Sequence, residues 1–433
     1  MGSISLHMKR LAKTLFKNPL ISGSSIIFIG SMLASILGYL FNLAMGRLLL
    51  PDEYGLLTSL TSLVILFGVF QISLVGIFAK FAAVYRANED EKGFAALIYK
   101  GGRFTLLSGL VLFSILLLSL IFMPSFLKVT DLRLLILIYG TIFFSFISAF
   151  SLGILQGEMR FYLLSFLNFL GPLLKLALGV GAVLVGFKLI GIMNGILISS
   201  ILPFIIGVGA ILKKHKITSV KHNKEESVFI TEFKKYGLLF FIATLGISII
   251  SNSDIILVRH FFTPTISGQY AALSLMGKAI FYFTSPIYFV FFPLIAHKFE
   301  KKEPVTNTLI LAGLIVSIVS VGLSTIYFIF PQIVLHIFYP AKAYRMLIPY
   351  LGPFSIYIFI FSLAYLFNNF FLSIGRTGIY KINIITAILF IVMITIFHNS
   401  LFQIIEILLL VSIVLLIIYI IYFKINSKKG NLR

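Results

Sequence analysis

The chain has no cysteine, and only 11% of its residues are charged. The first absence excludes disulfides, thiolate metal sites and cysteine nucleophiles, and says nothing about compartment. The second excludes an ordinary soluble domain, where about a quarter of the residues carry charge. Catalytic signatures are missing too: there is no G-x-S-x-G, no H-E-x-x-H and no phosphate-binding glycine loop in the 433 residues. Acidic residues are scarce, 14 in all, and their one run, Glu89-Asp90-Glu91, sits beside Lys92 in a short polar stretch and reads as solvated. A glycosyltransferase would need a soluble nucleotide-sugar domain with metal-binding carboxylates, and a polymerase usually has a large outer loop. Neither is found. The chain therefore does not read as an enzyme, and no cofactor or metal site is expected.

What is present is apolar: 59% of the residues are hydrophobic and the mean hydropathy is +1.08. A membrane crossing takes about 20 apolar residues. Runs of that kind fall near 22–46, 56–79, 104–123, 132–155, 163–186 and 189–212, and again near 237–260, 267–294, 307–330, 349–372, 379–397 and 401–422. The expected fold class is an all-α polytopic membrane protein of about 12 transmembrane helices, in two six-helix lobes around a central cavity. The lobes are 1–218 and 219–433, divided by the basic stretch Lys213 to Lys235. The first 20 residues form a basic amphipathic segment suited to the membrane interface, ahead of a retained first helix.

The net charge of +21 would suggest nucleic acid in a soluble protein. Here the charges sort by side. Of the 35 Lys and Arg, only Arg47, Lys128, Arg133, Lys188, Arg259, Lys342 and Arg345 fall opposite the termini, and Lys175 and Lys278 lie within spans. All the others share the side of the termini. This bias puts both termini in the cytoplasm, in a multi-pass protein of the cytoplasmic (inner) membrane. No nucleic-acid partner is expected.

The halves repeat. Gly46-Arg-Leu-Leu-Leu-Pro-Asp-Glu-Tyr-Gly55 after the first span matches Arg259-His-Phe-Phe-Thr-Pro-Thr-Ile-Ser-Gly-Gln-Tyr270 after the seventh. Gly157 and Tyr162 pair with Gly375 and Tyr380 at an offset of 218, against 212 for Arg47 and Arg259. Lobes of six spans each keep one orientation, as in transporters built from parallel repeats.

The segment GRLLLPDEYGLLTSL resembles the R-x-L-x-P-x-x-Y-G pattern of the polysaccharide-repeat flippases, the Wzx-like members of the multidrug/oligosaccharidyl-lipid/polysaccharide exporter superfamily. NSDIILVRHFFTPTISGQYAAL, residues 252–273, resembles their seventh helix, with a longer gap after its proline. The resemblance implies a MATE-like fold and a flippase that moves a polyprenyl-linked oligosaccharide across the membrane by alternating access. Such a protein serves surface polysaccharide such as O-antigen or capsule. It is expected to be monomeric, in contact with membrane lipids, and associated with polysaccharide polymerase machinery.

Ionisable residues in hydrocarbon cost several kcal/mol unless they meet water, a partner or a substrate. Lys175 and Lys278 lie near the middle of spans 5 and 8, one in each lobe. They suit the phosphate or pyrophosphate headgroup of such a lipid. Arg47, Arg259 and Lys80 are further headgroup candidates, and equally interface anchors. Asp254 and Glu406, in spans 7 and 12, are the carboxylates that could couple transport to H+ or Na+, or serve as counterions to a lysine. Asp254 and Arg259 are five apart, so they do not share a helix face and each needs a partner on another helix. Two alternatives stay open: a cation-coupled multidrug exporter, whose cargo would call for carboxylates in the cavity, and a lipid II flippase, which usually has more spans.

Overall fold

A computed structural model of the protein describes residues 19–215 and 238–428. The N-terminal basic segment, most of the basic stretch around the boundary at 218, and the end of the basic tail lie outside them. Among the described residues the chain is helical without a strand. Twelve helices among the described residues are long and apolar enough to cross a membrane, as expected, and the protein is a multi-pass membrane protein.

In chain order come α1 (Pro19–Leu48), α2 (Pro51–Ala87) and α3 (Glu91–Ala96), which runs through a π-turn (Leu97–Gly101) into α4 (Gly102–Leu118). The short α5 (Met123–Leu127) follows, then α6 (Leu132–Gly157), α7 (Phe161–Leu184) and α8 (Lys188–Lys214). The second half holds α9 (Leu238–Phe261), α10 (Pro264–Glu300), α11 (Thr306–Ile329) and the short α12 (Pro331–Phe338). A 3-10 turn (Lys342–Leu347) leads to α13 (Ile348–Ser373), and α14 (Tyr380–Ile396) and α15 (Leu401–Lys428) complete the chain.

The repeat appears in these lengths. α2 and α10, in matching places, each have 37 residues, and α6 and α13 each have 26. At 1.5 Å per residue, α2 and α10 are about 55 Å long, well beyond their apolar runs. Hydropathy stops where charges begin, but backbone hydrogen bonding continues through Lys80 and Arg86 at the end of α2 and His297 and Lys298 at the end of α10. Both helices start on a proline, Pro51 and Pro264, whose fixed φ suits the first turn and whose missing N–H would have had no partner there. Thr263 caps α10 by accepting from the Ile266 amide.

The described chain forms two compact units. Of the described residues, one unit comprises 19–41, 70–117 and 139–215; the other comprises 42–69, 118–138 and 238–428. In the first, small residues let helices approach closely. A Cβ on Gly195 would meet Leu178 of α7 at 2.9 Å, and one on Gly157 would stand 2.6 Å from the Ala79 carbonyl oxygen of α2. In the second, aromatic rings fill the core: Phe354, Tyr357 and Phe371 are fully buried, and Phe354 meets Tyr357 edge-on at 5.2 Å. An extended polar cluster there is satisfied. The Asn383 amide donates to Asn368 Oδ1 at 2.9 Å and to the Ala243 carbonyl at 2.7 Å, and the Tyr419 hydroxyl donates to Asn383 Oδ1, with Asn368 Oδ1 3.3 Å away. On the outside, Val111, Ile318 and Ile417 stand exposed, a cost in water and none in hydrocarbon.

Candidate substrate and ion sites

Lys175 lies on α7, three residues after the internal proline Pro172. It is half-buried, and its ammonium stands 4.3 Å from the centroid of the Phe41 ring. Phe41 is fully buried and is pinned from the next turn of α7, where a Cβ on Gly179 would come within 2.7 Å of the ring. No carboxylate among the described residues pairs with Lys175. Lys278, on α10 and in the other unit, is also half-buried and has no ion pair or hydrogen bond among the described residues. Its neighbour Gly277 packs on Phe354.

Arg47 and Arg259 match in sequence and also in use. Arg47 Nε donates to the Phe338 carbonyl at 2.8 Å, and its terminal nitrogen donates to the Ile337 carbonyl. Arg259 is almost fully buried and donates to three carbonyls: Leu127 at 2.9 Å, Lys128 at 3.2 Å and Asp52 at 3.4 Å. Both guanidinium forks thus hold main chain where a helix ends. Lys128 caps α5 in the left-handed region at φ 52°, and its ammonium donates to the Phe262 carbonyl at 2.7 Å. Burial, with the Arg259 charge beside it, pushes the Lys128 ammonium below its ordinary range. Lys80 is exposed on α2.

Asp254 is fully buried. As its spacing required, its partner comes from another helix: the Tyr270 hydroxyl of α10 donates to Oδ2 at 2.9 Å. Oδ1 has no partner among the described residues, nor do the buried hydroxyls of Ser274 and Tyr357. Tyr357 and Tyr270 both pack edge-on against Phe354. A buried carboxyl with one free oxygen can take a proton or a small cation. Glu406, the other coupling candidate, is exposed on α15 and pairs with nothing among the described residues. Among those residues, too, no group of three or more His, Asp or Glu is placed to hold a metal.

Glu158 escaped the sequence reading. It follows α6 directly, with its side chain 1% exposed, and its Oε1 is met by Arg86 at 2.8 Å, Lys214 at 3.0 Å and His215 at 2.8 Å. Arg86 also bonds Glu91 at 2.7 Å and lies over the Phe94 ring at 4.3 Å. Burial pushes the Glu158 carboxyl up, but the bonds from Arg86, Lys214 and His215 outweigh it and hold the group below the usual carboxylate range. The available signal was its position beside Gly157 of the repeated motif. The matching place in the second half is Arg376, of opposite charge.

These geometries define a helical membrane protein whose candidate spans carry two lysines without an ion pair among the described residues and a partly satisfied acid, on the fold of multidrug and toxin extruders. A structure described as the inward-facing conformation of a multidrug resistance MATE family transporter of the MOP superfamily matches with a TM-score of 0.72 at 14% identity, covering 92% of this chain and 96% of that chain. The outward-facing conformation of such a transporter matches at 0.60 and 15%, covering 96% and 97%. MATE in the straight conformation matches at 0.66 and 13%, covering 96% and 97%. No curated protein sequence matches the chain. Residues 20–299 match the family described as polysaccharide biosynthesis protein, the Wzx-like flippase family, and the chain belongs to it.

Proposed function

We propose that the protein is a flippase carrying a polyprenyl-phosphate- or pyrophosphate-linked oligosaccharide across the cytoplasmic membrane by alternating access, for surface polysaccharide synthesis. In this reading the lobes are 1–218 and 219–433, both termini are cytoplasmic, and the protein works as a monomer beside the polymerase machinery. The single observation that carries it is the state of Lys175. A cation at hydrocarbon depth costs several kcal/mol, and the face of Phe41 returns about 0.5–2 kcal/mol. The remainder is available to an anion. Lys278 offers the same in the second unit, and both suit a phosphate headgroup. Arg47 and Arg259 serve this reading as carbonyl clamps with residual field, and Lys80 as an exposed cation.

Asp254, with its free oxygen, is the proposed coupling site for H+ or Na+, ahead of Glu406. The second reading, multidrug export, is favoured by the fold likeness alone. Organic cations would need carboxylates facing the cargo, and Asp254 is fully enclosed and engaged by Tyr270. The test is transfer of a fluorescent polyprenyl-pyrophosphate oligosaccharide in proteoliposomes carrying Lys175→Ala together with Lys278→Ala. Transport should fall at least tenfold, roughly the worth of one charge-assisted contact. Wild-type rates in the double variant would remove the headgroup role.

A further inference from the structure

α12 and the turn after it form a pocket whose lining includes none of Lys175, Lys278 and Asp254. It encloses about 560 Å³ and is lined by Gln332, His336, Tyr339, Pro340, Ala341 and Arg345. Its frame is rigid. Val334 and Leu335 bury one face of α12, and Tyr339 and Tyr344, both nearly fully buried, pack with centroids 4.8 Å apart. The Tyr344 hydroxyl donates to the Gly46 carbonyl at 3.1 Å, and Arg47 holds the carbonyls at the end of α12.

The free chemistry is at the rim. Arg345 and His336 are exposed and make no ion pair or side-chain hydrogen bond among the described residues. The stretch 331–350 contains no carboxylate, and Lys342 adds a further cation. Gln332 is exposed as well, and beside these polar groups stand bare apolar ones: Ile333 and Ile337 are 56% and 59% exposed, and Met346 is 42% exposed. A cationic pocket bordered by bare isoleucines fits neither a neutral sugar nor a free inorganic anion, which gives the isoleucines nothing to cover. It fits an anionic amphiphile.

We infer that this pocket binds the phosphate headgroup of an anionic membrane lipid, with Arg345, His336 and Gln332 on the phosphate and the acyl chains along Ile333 and Ile337. The arrangement follows ordinary phosphate recognition, in which an arginine fork supplies paired donors and interfacial apolar side chains bury the first part of the chains. It concerns resident or released lipid, and stands whether or not the cargo assignment does.

The test uses the purified full-length protein and native mass spectrometry, with dioctanoyl phosphatidylglycerol as probe, dioctanoyl phosphatidylcholine as the zwitterionic control and inorganic phosphate as competitor. The wild type should retain phosphatidylglycerol in preference to phosphatidylcholine. Arg345→Ala should weaken that retention by about tenfold, one charge-assisted contact, Arg345→Lys should weaken it less, and Ile333→Ser with Ile337→Ser should also reduce it. Because all these side chains are exposed, thermal melting should stay at the wild-type value, which separates lost binding from lost folding. Equal retention by wild type and Arg345→Ala overturns the inference. So does displacement by millimolar phosphate that is indifferent to the isoleucine changes, which would make the pocket a soluble-anion site.

Discussion

The motif shared by the two halves brings Gly55 and Gly268 together, and one added methyl group tests that contact. A Cβ on Gly55 would stand 2.6 Å from the Gly268 amide nitrogen and 2.9 Å from its Cα. Carbon contacts are comfortable at about 3.5–4.0 Å, so the starts of α2 and α10 would have to part by about 1 Å. Neither side can yield by rotating a side chain, because both are backbone. Overpacking of this kind costs about 1–3 kcal/mol. Gly268→Ala should cost more, about 3 kcal/mol or above, because its Cβ would overlap the Pro51 carbonyl oxygen. Gly76→Ala in α2 is the control. Nothing lies within 4 Å of its Cβ, and replacing glycine inside a helix gains up to about 1 kcal/mol. Thermal unfolding followed by far-ultraviolet circular dichroism in one detergent should rank Gly268→Ala lowest, then Gly55→Ala, then the wild type, with Gly76→Ala at or above it. A Gly268→Ala protein that melts with the wild type would refute the close backbone contact.

Glu158 predicts a pH dependence. Its carboxyl is held below its unfolded range, so its contribution is present in full above about pH 4.3 and disappears as pH falls through the lower folded value. Melting temperature measured against pH should drop over that acid window in the wild type and stay flatter there in Glu158→Gln, which should also be the less stable protein at neutral pH. Arg259→Lys should destabilise by about 2 kcal/mol, since one ammonium cannot reach three carbonyls spread along a guanidinium fork. Arg47→Lys, at an exposed site, should cost less in the same melts. Asp254→Asn should abolish stimulation of transport by an imposed proton or sodium gradient in proteoliposomes while leaving melting within a few degrees. Stimulation surviving in Asp254→Asn and lost in Glu406→Gln would move the coupling site to α15.

Much of the fold could be read from the sequence because bilayer thickness imposes a period on hydropathy. The twelve crossings follow from it. Helix ends were less legible: α2 and α10 run on through residues that hydropathy counts as loop. The sites were legible only as an inventory of charges. Sequence named Arg47 and Arg259 as a pair, but their donors go to main-chain carbonyls, which carry no residue signature. It named Lys175 without the Phe41 face, since a ring on α1 and a cation on α7 meet only through tertiary packing. Glu158 was missed because its three partners come from α2, the end of α8 and the residue after it, distant in sequence and ordinary one at a time. Asp254 was found because a lone acid in an apolar run is conspicuous, while Tyr270, its donor, is one tyrosine among 19.

The most direct test of the central claim is a comparison of two cargoes in the same wild-type proteoliposomes: a fluorescent polyprenyl-pyrophosphate oligosaccharide and the organic cation ethidium. The unpaired lysines predict that the anionic lipid crosses at a protein-dependent rate, that Lys175→Ala slows it, and that ethidium flux equals that of empty liposomes. Protein-dependent ethidium transport without movement of the lipid would contradict the account and make the protein a drug exporter.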